Sequence, residues 1–172
     1  MMGGYIFKLR KPLFHGFYIS EDGDKIITLD GKQIKGAWVE GNYYKIPAPP
    51  VCFKEDLKAV KDKHYIIFEN PNSCPDWGMP RQMVRAEVIP ETVSEYLCLT
   101  DKNDVKIFDD SILYNTDQSL CEERYRIYKP IGYGQWKSGN DIYNIFEIKD
   151  HIKDFEVIGN IFETPELLEE KQ

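Results

Sequence analysis

The sequence lacks the short motifs by which catalytic and nucleotide-binding sites are usually recognised. It has no Cys-x-x-Cys pair, no Gly-x-Ser-x-Gly nucleophile elbow and no Gly-Lys-Ser or Gly-Lys-Thr phosphate loop. The glycine-rich segment Gly132–Gly134 is not followed by a helical pattern, which favours the end of a strand over a phosphate site. We therefore expect a protein that is not an enzyme and that has no cofactor.

Residues that commonly bind metals are few and scattered. The four cysteines lie more than twenty residues apart along the chain, whereas zinc sites usually draw on close pairs of ligands. They are predicted to be reduced, buried thiols, with disulfides or a metal role as the less favoured alternatives. The histidines are predicted to be ordinary surface or edge residues. These residues are Cys52, Cys74, Cys98, Cys121, His15, His64 and His151.

Long apolar runs and an excess of positive charge are also missing. No segment approaches the length of a membrane span, and the N-terminus has no apolar signal-peptide core, so we expect a cytoplasmic protein. The chain carries 22 Lys and Arg against 29 Asp and Glu, a formal net charge of −7. This charge disfavours a broad phosphate-binding face and docking on anionic membranes, although a local basic patch remains open.

Apolar and aromatic residues, in contrast, are abundant. Of the 172 residues, 42% are hydrophobic and 13% are aromatic, which is enough for a substantial core. Aromatic residues favour strands over helices. The composition therefore predicts a folded, mainly β protein.

Turn signals and alternating segments divide the chain into short strands. Glu21–Asp24 separates two strand-like segments and predicts a hairpin, and Asp30-Gly31 and Ser138–Asp141 predict two further turns. Lys35–Ile46 reads as a long strand with glycines at which a strand can bend. Ile142–Ile148 alternates as a strand does.

Two segments favour helices. Phe53–Lys61 would place apolar residues on one face of about two turns. Near the C-terminus, Thr164 is a good N-cap residue and Pro165 suits the first helical position. The loop of residues 70–80 contains several prolines.

Three segments follow one another along the chain: Gly31–Tyr44, Val88–Leu113 and Glu156–Leu168. In order and spacing they resemble the YopX family, whose proteins are encoded mainly by phages and prophages, and the resemblance extends over residues 29–168. The chain departs from the family pattern at two glycines. The family's Glu-Gly-Asp is Asp109-Asp110-Ser111 here, and its Thr-Gly-Leu is Leu97-Cys98-Leu99.

The resemblance implies a mainly β fold, a partly open SH3-like barrel or roll with one or two short helices. It implies a YopX-like domain over residues 29–170, preceded by an N-terminal extension over residues 1–28 that we expect to form a β-hairpin. It carries no established activity and no catalytic residues to transfer. Function has to be sought in the surface of this particular chain.

One stretch of the sequence combines aromatic and basic residues in a way that could stack nucleic-acid bases. Aromatic residues on strands are more often core residues, which is the competing interpretation. Separately, a tryptophan in the proline-rich loop could anchor a protein partner or plug the end of the barrel. The candidate binding surface comprises Trp77, Arg124, Tyr125, Arg126, Tyr128 and Trp136.

Three functional hypotheses follow. The favoured one is a phage- or prophage-derived accessory protein that binds an unknown protein partner. The alternative is a nucleic-acid-binding small barrel. The least favoured is a divalent-metal-dependent hydrolase built on Asp109 and Asp110 with Asp101 and Asp104, which are better explained as solvated turns. Open sheet edges also make a homo-oligomer possible.

Overall fold

The computed structural model describes residues 12–50, 61–70, 82–116 and 127–168, and these residues form two antiparallel β-sheets. The seven strands of the first sheet are β1 Phe14–Ile19, β2 Lys25–Leu29, β3 Lys32–Ile46, β4 Lys63–Glu69, β5 Met83–Glu87, β6 Ser94–Thr100 and β7 Lys106–Phe108. The five strands of the second sheet are β8 Ser111–Asn115, β9 Ile127–Gly132, β10 Gln135–Ser138, β11 Asp141–Asn144 and β12 Phe155–Asn160.

The path through the first sheet is β5-β4-β3-β1-β6-β7, with β2 paired to β3, and the order in the second sheet is β11-β10-β9-β8-β12. Within the described residues neither sheet closes on itself. The prediction of a mainly β fold is confirmed. The likeness to SH3 barrels stays a prediction.

The long strand β3 organises the first sheet. Its successive parts pair with β2, with β1 and with β4. The segments of β1 and β2 are strands, as the sequence predicts, but each pairs with β3, so they do not form the expected hairpin with one another. Strand β1 instead lies between β3 and β6. The division of the chain at residue 28 stays a prediction.

Two glycines explain how the chain passes from β1 to β2. A Cβ atom on Gly36 would lie 1.9 Å from the carbonyl oxygen of Tyr18, and one on Gly23 would lie 2.0 Å from the carbonyl oxygen of Gly36. Real Cβ atoms do not approach so closely, so these positions need glycine. The turn after β1 therefore lies directly against β3, and this brings β2 to the first part of that strand.

Several turns form as the sequence predicts. Asp30 and Gly31 both have positive φ, at 50° and 71°, which is the geometry of a two-residue type I′ hairpin between β2 and β3. Ser138 and Asp141 face each other across the β10–β11 turn, where Gly139 has φ of 60°. Local turn chemistry is sufficient for both.

A helix replaces the second half of a predicted strand. Residues 142–148 alternate, but β11 ends at Asn144 and helix α1 spans Ile145–Asp150. The cause is a capping box. The side chain of Asn144 accepts hydrogen bonds from the N–H groups of Phe146 and Glu147, and Glu147 accepts one from the N–H of Asn144. The predicted helix at residues 53–61 and the loop at 70–80 lie outside the described residues, apart from residues 61 and 70.

The core comprises two clusters. The first packs the second sheet against the β6–β7 hairpin and α1, and its buried members are Leu97, Ile107, Leu113, Tyr128, Trp136, Ile148 and Phe155. The second cluster joins the first sheet to the C-terminal segment, and its buried members are Phe17, Ile27 and Phe162.

The chain turns directly after β12, and one aromatic residue of the turn enters the core. Gly159, with φ of 156°, and Asn160 are the last residues of β12, and the Asn160 side chain accepts hydrogen bonds from the N–H groups of Phe162 and Glu163 in the turn. Phe162 is buried in the second cluster, whereas Leu167 and Leu168 lie half-buried in a 3-10 turn. Thr164 donates its hydroxyl to the carbonyl of Asn160 instead of capping a helix.

Candidate functional site

The predicted binding surface does not form as a whole. Tyr128 and Trp136 are only 4% and 0% exposed, and the indole N–H of Trp136 donates to the carbonyl of Ser111 at 3.0 Å. Both rings belong to the core, so neither is available to stack on a base in this structure. Trp77 and residues 124–126 lie outside the described residues, and their part in binding stays a prediction.

A buried histidine–aspartate pair lies where the two sheets meet. His15 on β1 is 8% exposed and Asp110, before β8, is 5% exposed. The Nε2 atom of His15 lies 2.9 Å from each carboxylate oxygen of Asp110. A carboxylate accepts hydrogen bonds, so Nε2 carries the proton that is shared between these two oxygens. The pair links the first sheet directly to the second.

Aromatic rings and backbone contacts hold this pair in place. The imidazole of His15 stacks on Phe108, with ring centroids 3.8 Å apart, and on Trp38, with centroids 4.5 Å apart. The N–H of Asp110 donates to the hydroxyl of Ser94, and its carbonyl accepts from the N–H of Ile161. The site therefore draws on five separate stretches of the chain.

These positions correct two expectations. His15 is a buried, paired residue and not a surface residue, and Asp110 is buried and not part of a solvated turn. Only one feature of the sequence marked Asp110 as unusual: it occupies a position at which the family pattern has glycine. Its partner lies ninety-five residues away, so sequence spacing could not connect them.

A groove of about 470 Å³ runs past this pair. His15, Trp38 and Phe108 contribute aromatic surface to it, and Ser111 and Asn160 contribute polar surface. Two ion pairs border the groove. Lys106 pairs with Glu40, and Lys25 pairs with Glu163, with Nζ of Lys25 3.6 Å from Oε1 of Glu163. The volume lies within the range of small-molecule sites.

The other acidic residues weighed as cation ligands have structural roles or lie on the surface. Asp101 is fully buried, which corrects the expectation of a solvated turn, and its carboxylate accepts hydrogen bonds from the N–H groups of Asn103, Val105 and Val157. Asp104 is exposed and ion-pairs with Lys153. In the part of the chain that the structure describes, no group of three or more potential ligands could hold a metal ion.

Asp109 precedes Asp110 of the histidine–aspartate pair, but its carboxylate contacts the turn between β9 and β10. Its Oδ1 atom accepts a hydrogen bond of 2.6 Å from the N–H of Gly134. Burial raises the pKa of this carboxyl, the hydrogen bond from Gly134 lowers it, and the neighbouring charge of Asp110 raises it, with a net upward shift. The carboxylate form is therefore disfavoured at this position.

A set of exposed apolar side chains lies on β11, on the β9–β10 turn and at the start of α1. Tyr133, Ile142 and Phe146 are 67%, 62% and 75% exposed. The N–H of Ile145 donates to the carbonyl of Gly134 at 2.8 Å, so the β9–β10 turn that carries Tyr133 adjoins the start of α1 that carries Phe146. We call Tyr133, Ile142 and Phe146 the apolar patch.

Two exposed lysines accompany the apolar patch. Lys137 is directly opposite Ile142 in the β10–β11 ladder. Lys149 follows Phe146 by three residues in α1, so the two side chains share a face of the helix. Neither lysine forms an ion pair with another described residue. The two lysines thus place positive charge beside the patch in a chain that is acidic overall, and Glu95 places a carboxylate beside the hydroxyl of Tyr133.

Cys98 departs from the expectation of a buried thiol. It is exposed and has φ of 59°, at a register shift between β6 and β7. The shift turns its side chain away from the core. The other three cysteines lie outside the described residues.

These features define a two-sheet, mainly β protein with a buried, hydrogen-bonded histidine–aspartate pair between its sheets. The family model described as YopX protein matches residues 51–169, over two thirds of the chain, and the chain therefore belongs to the YopX family. Two of the three resembling segments lie within this match, and Gly31–Tyr44 precedes it. The search of curated proteins and the search of solved structures each returned no match. No described helix is long and apolar enough to cross a membrane.

Proposed function

We propose that the protein is a non-enzymatic, cytoplasmic accessory protein of phage or prophage origin that binds another protein through the apolar patch. The observation that carries the proposal is the exposure of Tyr133, Ile142 and Phe146 on adjoining elements. Large exposed aromatic side chains supply much of the binding energy at protein interfaces. The phage or prophage origin is supported by the family alone.

The charge around the patch indicates what kind of partner it fits. The net charge of −7 disfavours nucleic acid, because a phosphate backbone would be repelled by most of the surface. Lys137 and Lys149 would instead complement carboxylates placed around an apolar contact. We therefore propose a protein partner with an apolar surface bordered by Asp or Glu.

The edge of the second sheet favours binding through side chains over the addition of a strand. Strand β11 has only four residues, Asp141–Asn144, and the N–H of Asn144 is already hydrogen-bonded to Glu147. A strand added at this edge would gain few main-chain hydrogen bonds. Contacts made by Ile142 and Phe146 would have to provide the affinity.

The proposal is tested with the tagged full-length chain in extract from phage-infected host cells. A captured protein is then purified, and its affinity is measured for wild type and for the double variant Ile142→Ser/Phe146→Ser. We expect the double variant to weaken binding by about a hundredfold, since two apolar anchors are lost.

The control variant is Ile26→Ser, which removes a similarly exposed isoleucine from β2, outside the patch. It should bind as wild type does. Binding that is equally strong in the patch variant would overturn the proposed surface, and the absence of any captured protein would count against protein binding itself.

A further inference from the structure

The groove beside His15 and Asp110 holds an unusual polar atom. Nε2 of His15 is paired with Asp110, but no described residue hydrogen-bonds to Nδ1, although the side chain is nine-tenths buried and lines the groove. Its polar neighbours are satisfied: the Trp38 indole N–H donates to Glu163, and the Ser111 hydroxyl accepts from the N–H of Phe108. Buried polar atoms without partners are uncommon in native proteins and call for an explanation.

The chemistry of this atom restricts what could pair with it. In the neutral tautomer that carries its proton on Nε2, Nδ1 has a free lone pair and accepts hydrogen bonds. A matching ligand group must therefore donate a hydrogen bond, which an ammonium or a hydroxyl can do and a carboxylate cannot.

The charges around the groove distinguish between these donors. Lys25 and Lys106 are each paired with a glutamate, Glu163 and Glu40, so those charges balance. Beside the neutral tautomer of His15, the carboxylate of Asp110 leaves the site with an excess of one negative charge. Such a site favours a cation over a neutral or anionic ligand.

We propose that the groove is a binding site for a small organic ammonium ion, which donates a hydrogen bond to Nδ1 of His15. The carboxylates of Glu40 and Glu163 supply the remaining acceptors, and the aromatic surface of Trp38 and Phe108 contacts the apolar part of the ligand. This site is separate from the apolar patch, so the two proposals stand or fall independently.

The test uses the ¹⁵N-labelled full-length chain and three probes of the same shape, n-butylammonium, 1-butanol and butyrate. Binding is followed by the imidazole nitrogen signals of His15 and the indole signal of Trp38. We expect n-butylammonium to shift both with a dissociation constant on the order of millimolar, as fits so small a ligand. The alcohol and the carboxylate should bind at least about fivefold more weakly.

Two sets of variants locate the site. His15→Phe keeps a ring between Trp38 and Phe108 but removes both nitrogens, and it should abolish the response of Trp38. Since this change could also unfold the protein, Glu40→Gln/Glu163→Gln provides a second test at exposed or half-buried positions and should weaken binding at least about fivefold. Glu21→Gln/Glu91→Gln makes the same charge change outside the groove and should leave the affinity unchanged.

Three results would overturn the proposal. They are the absence of any shift with n-butylammonium, equal affinity for all three probes, and binding by the Glu40→Gln/Glu163→Gln variant that matches wild type.

Discussion

Cys98 shows how a single residue can strain the backbone. Its φ of 59° lies in the left-handed region, where a side chain costs about 1–2 kcal/mol relative to glycine. The family pattern has glycine at this position. The cysteine therefore occupies a site whose geometry favours a residue without a Cβ atom.

We expect Cys98→Gly to raise the free energy of unfolding by about 0.5–1 kcal/mol, since relief of the strain is partly offset by the greater freedom of glycine in the unfolded chain. Urea denaturation measures the change. Cys98→Ala is the matched control, because alanine also lacks the thiol but keeps the Cβ atom, and it should not be more stable than wild type. A gain in both variants would assign the effect to the thiol.

Asp109 gives a pH-dependent prediction. Burial is the main cause of its raised pKa. The folded protein therefore holds this proton more tightly than the unfolded chain does, and the free energy of unfolding falls as the pH rises from the usual carboxyl pKa through the raised one. Stability from this group is present in acid and lost towards neutral pH.

Asp109→Asn should remove this loss, because asparagine is neutral and its Oδ1 atom can still accept from the N–H of Gly134. We expect the variant to be more stable than wild type at neutral pH, with the difference vanishing at about pH 3, below the usual carboxyl pKa. Urea denaturation at both pH values checks this. A variant less stable than wild type at neutral pH would contradict the assignment.

At the scale of elements, the carboxylate of Asp101 connects the β6–β7 hairpin to β12 through hydrogen bonds. Its Oδ1 atom accepts from the N–H groups of Asn103 and Val105 within the hairpin turn, and its Oδ2 atom accepts from the N–H of Val157 on β12. A turn rich in Asp and Asn is readily predicted from the sequence. The third contact depends on a strand more than fifty residues away.

Asp101→Asn should lower the free energy of unfolding by about 2–3 kcal/mol, because an amide N–H₂ replaces one acceptor oxygen and leaves a buried donor unpaired. Chemical denaturation gives the value. Asp104→Asn, at an exposed position of the same turn, is the control and should change stability by less than about 0.5 kcal/mol. Equal effects in the two variants would show that the buried contacts contribute little.

Helix α1 illustrates why some elements were predicted correctly and others were not. The turns at Asp30-Gly31 and Ser138–Asp141 depend on local residues, so the sequence alone predicts them. Residues 142–148 alternate like a strand, yet the Asn144–Glu147 capping box starts a helix at residue 145. The alternating pattern favours a strand and the capping box favours a helix. The helix forms because it places Ile148 in the core.

At the scale of the whole molecule, the His15–Asp110 pair joins the two sheets. It connects β1 of the first sheet to the turn before β8 of the second, with both side chains buried. Removing one partner leaves the other polar group buried without compensation. The pair should therefore matter to the stability of the whole fold.

We expect Asp110→Ala to lower the free energy of unfolding by about 3 kcal/mol. Glu40→Ala, which breaks the exposed pair with Lys106, should cost less than about 1 kcal/mol. A double-mutant cycle with His15→Ala, measured by urea denaturation, isolates the coupling between His15 and Asp110. A coupling near zero would show that the two residues contribute independently.

The sequence by itself determined the fold class, the family and most of the short turns, because these depend on composition or on residues close together in the chain. Only the tertiary structure decided which side chains meet. It placed Tyr128 and Trp136 in the core, brought His15 to Asp110, and exposed Tyr133, Ile142 and Phe146 on adjoining elements of the second sheet and α1. The reason is physical: burial and pairing depend on how the strands are ordered in the sheets, and that order follows from contacts between distant segments which no local pattern encodes.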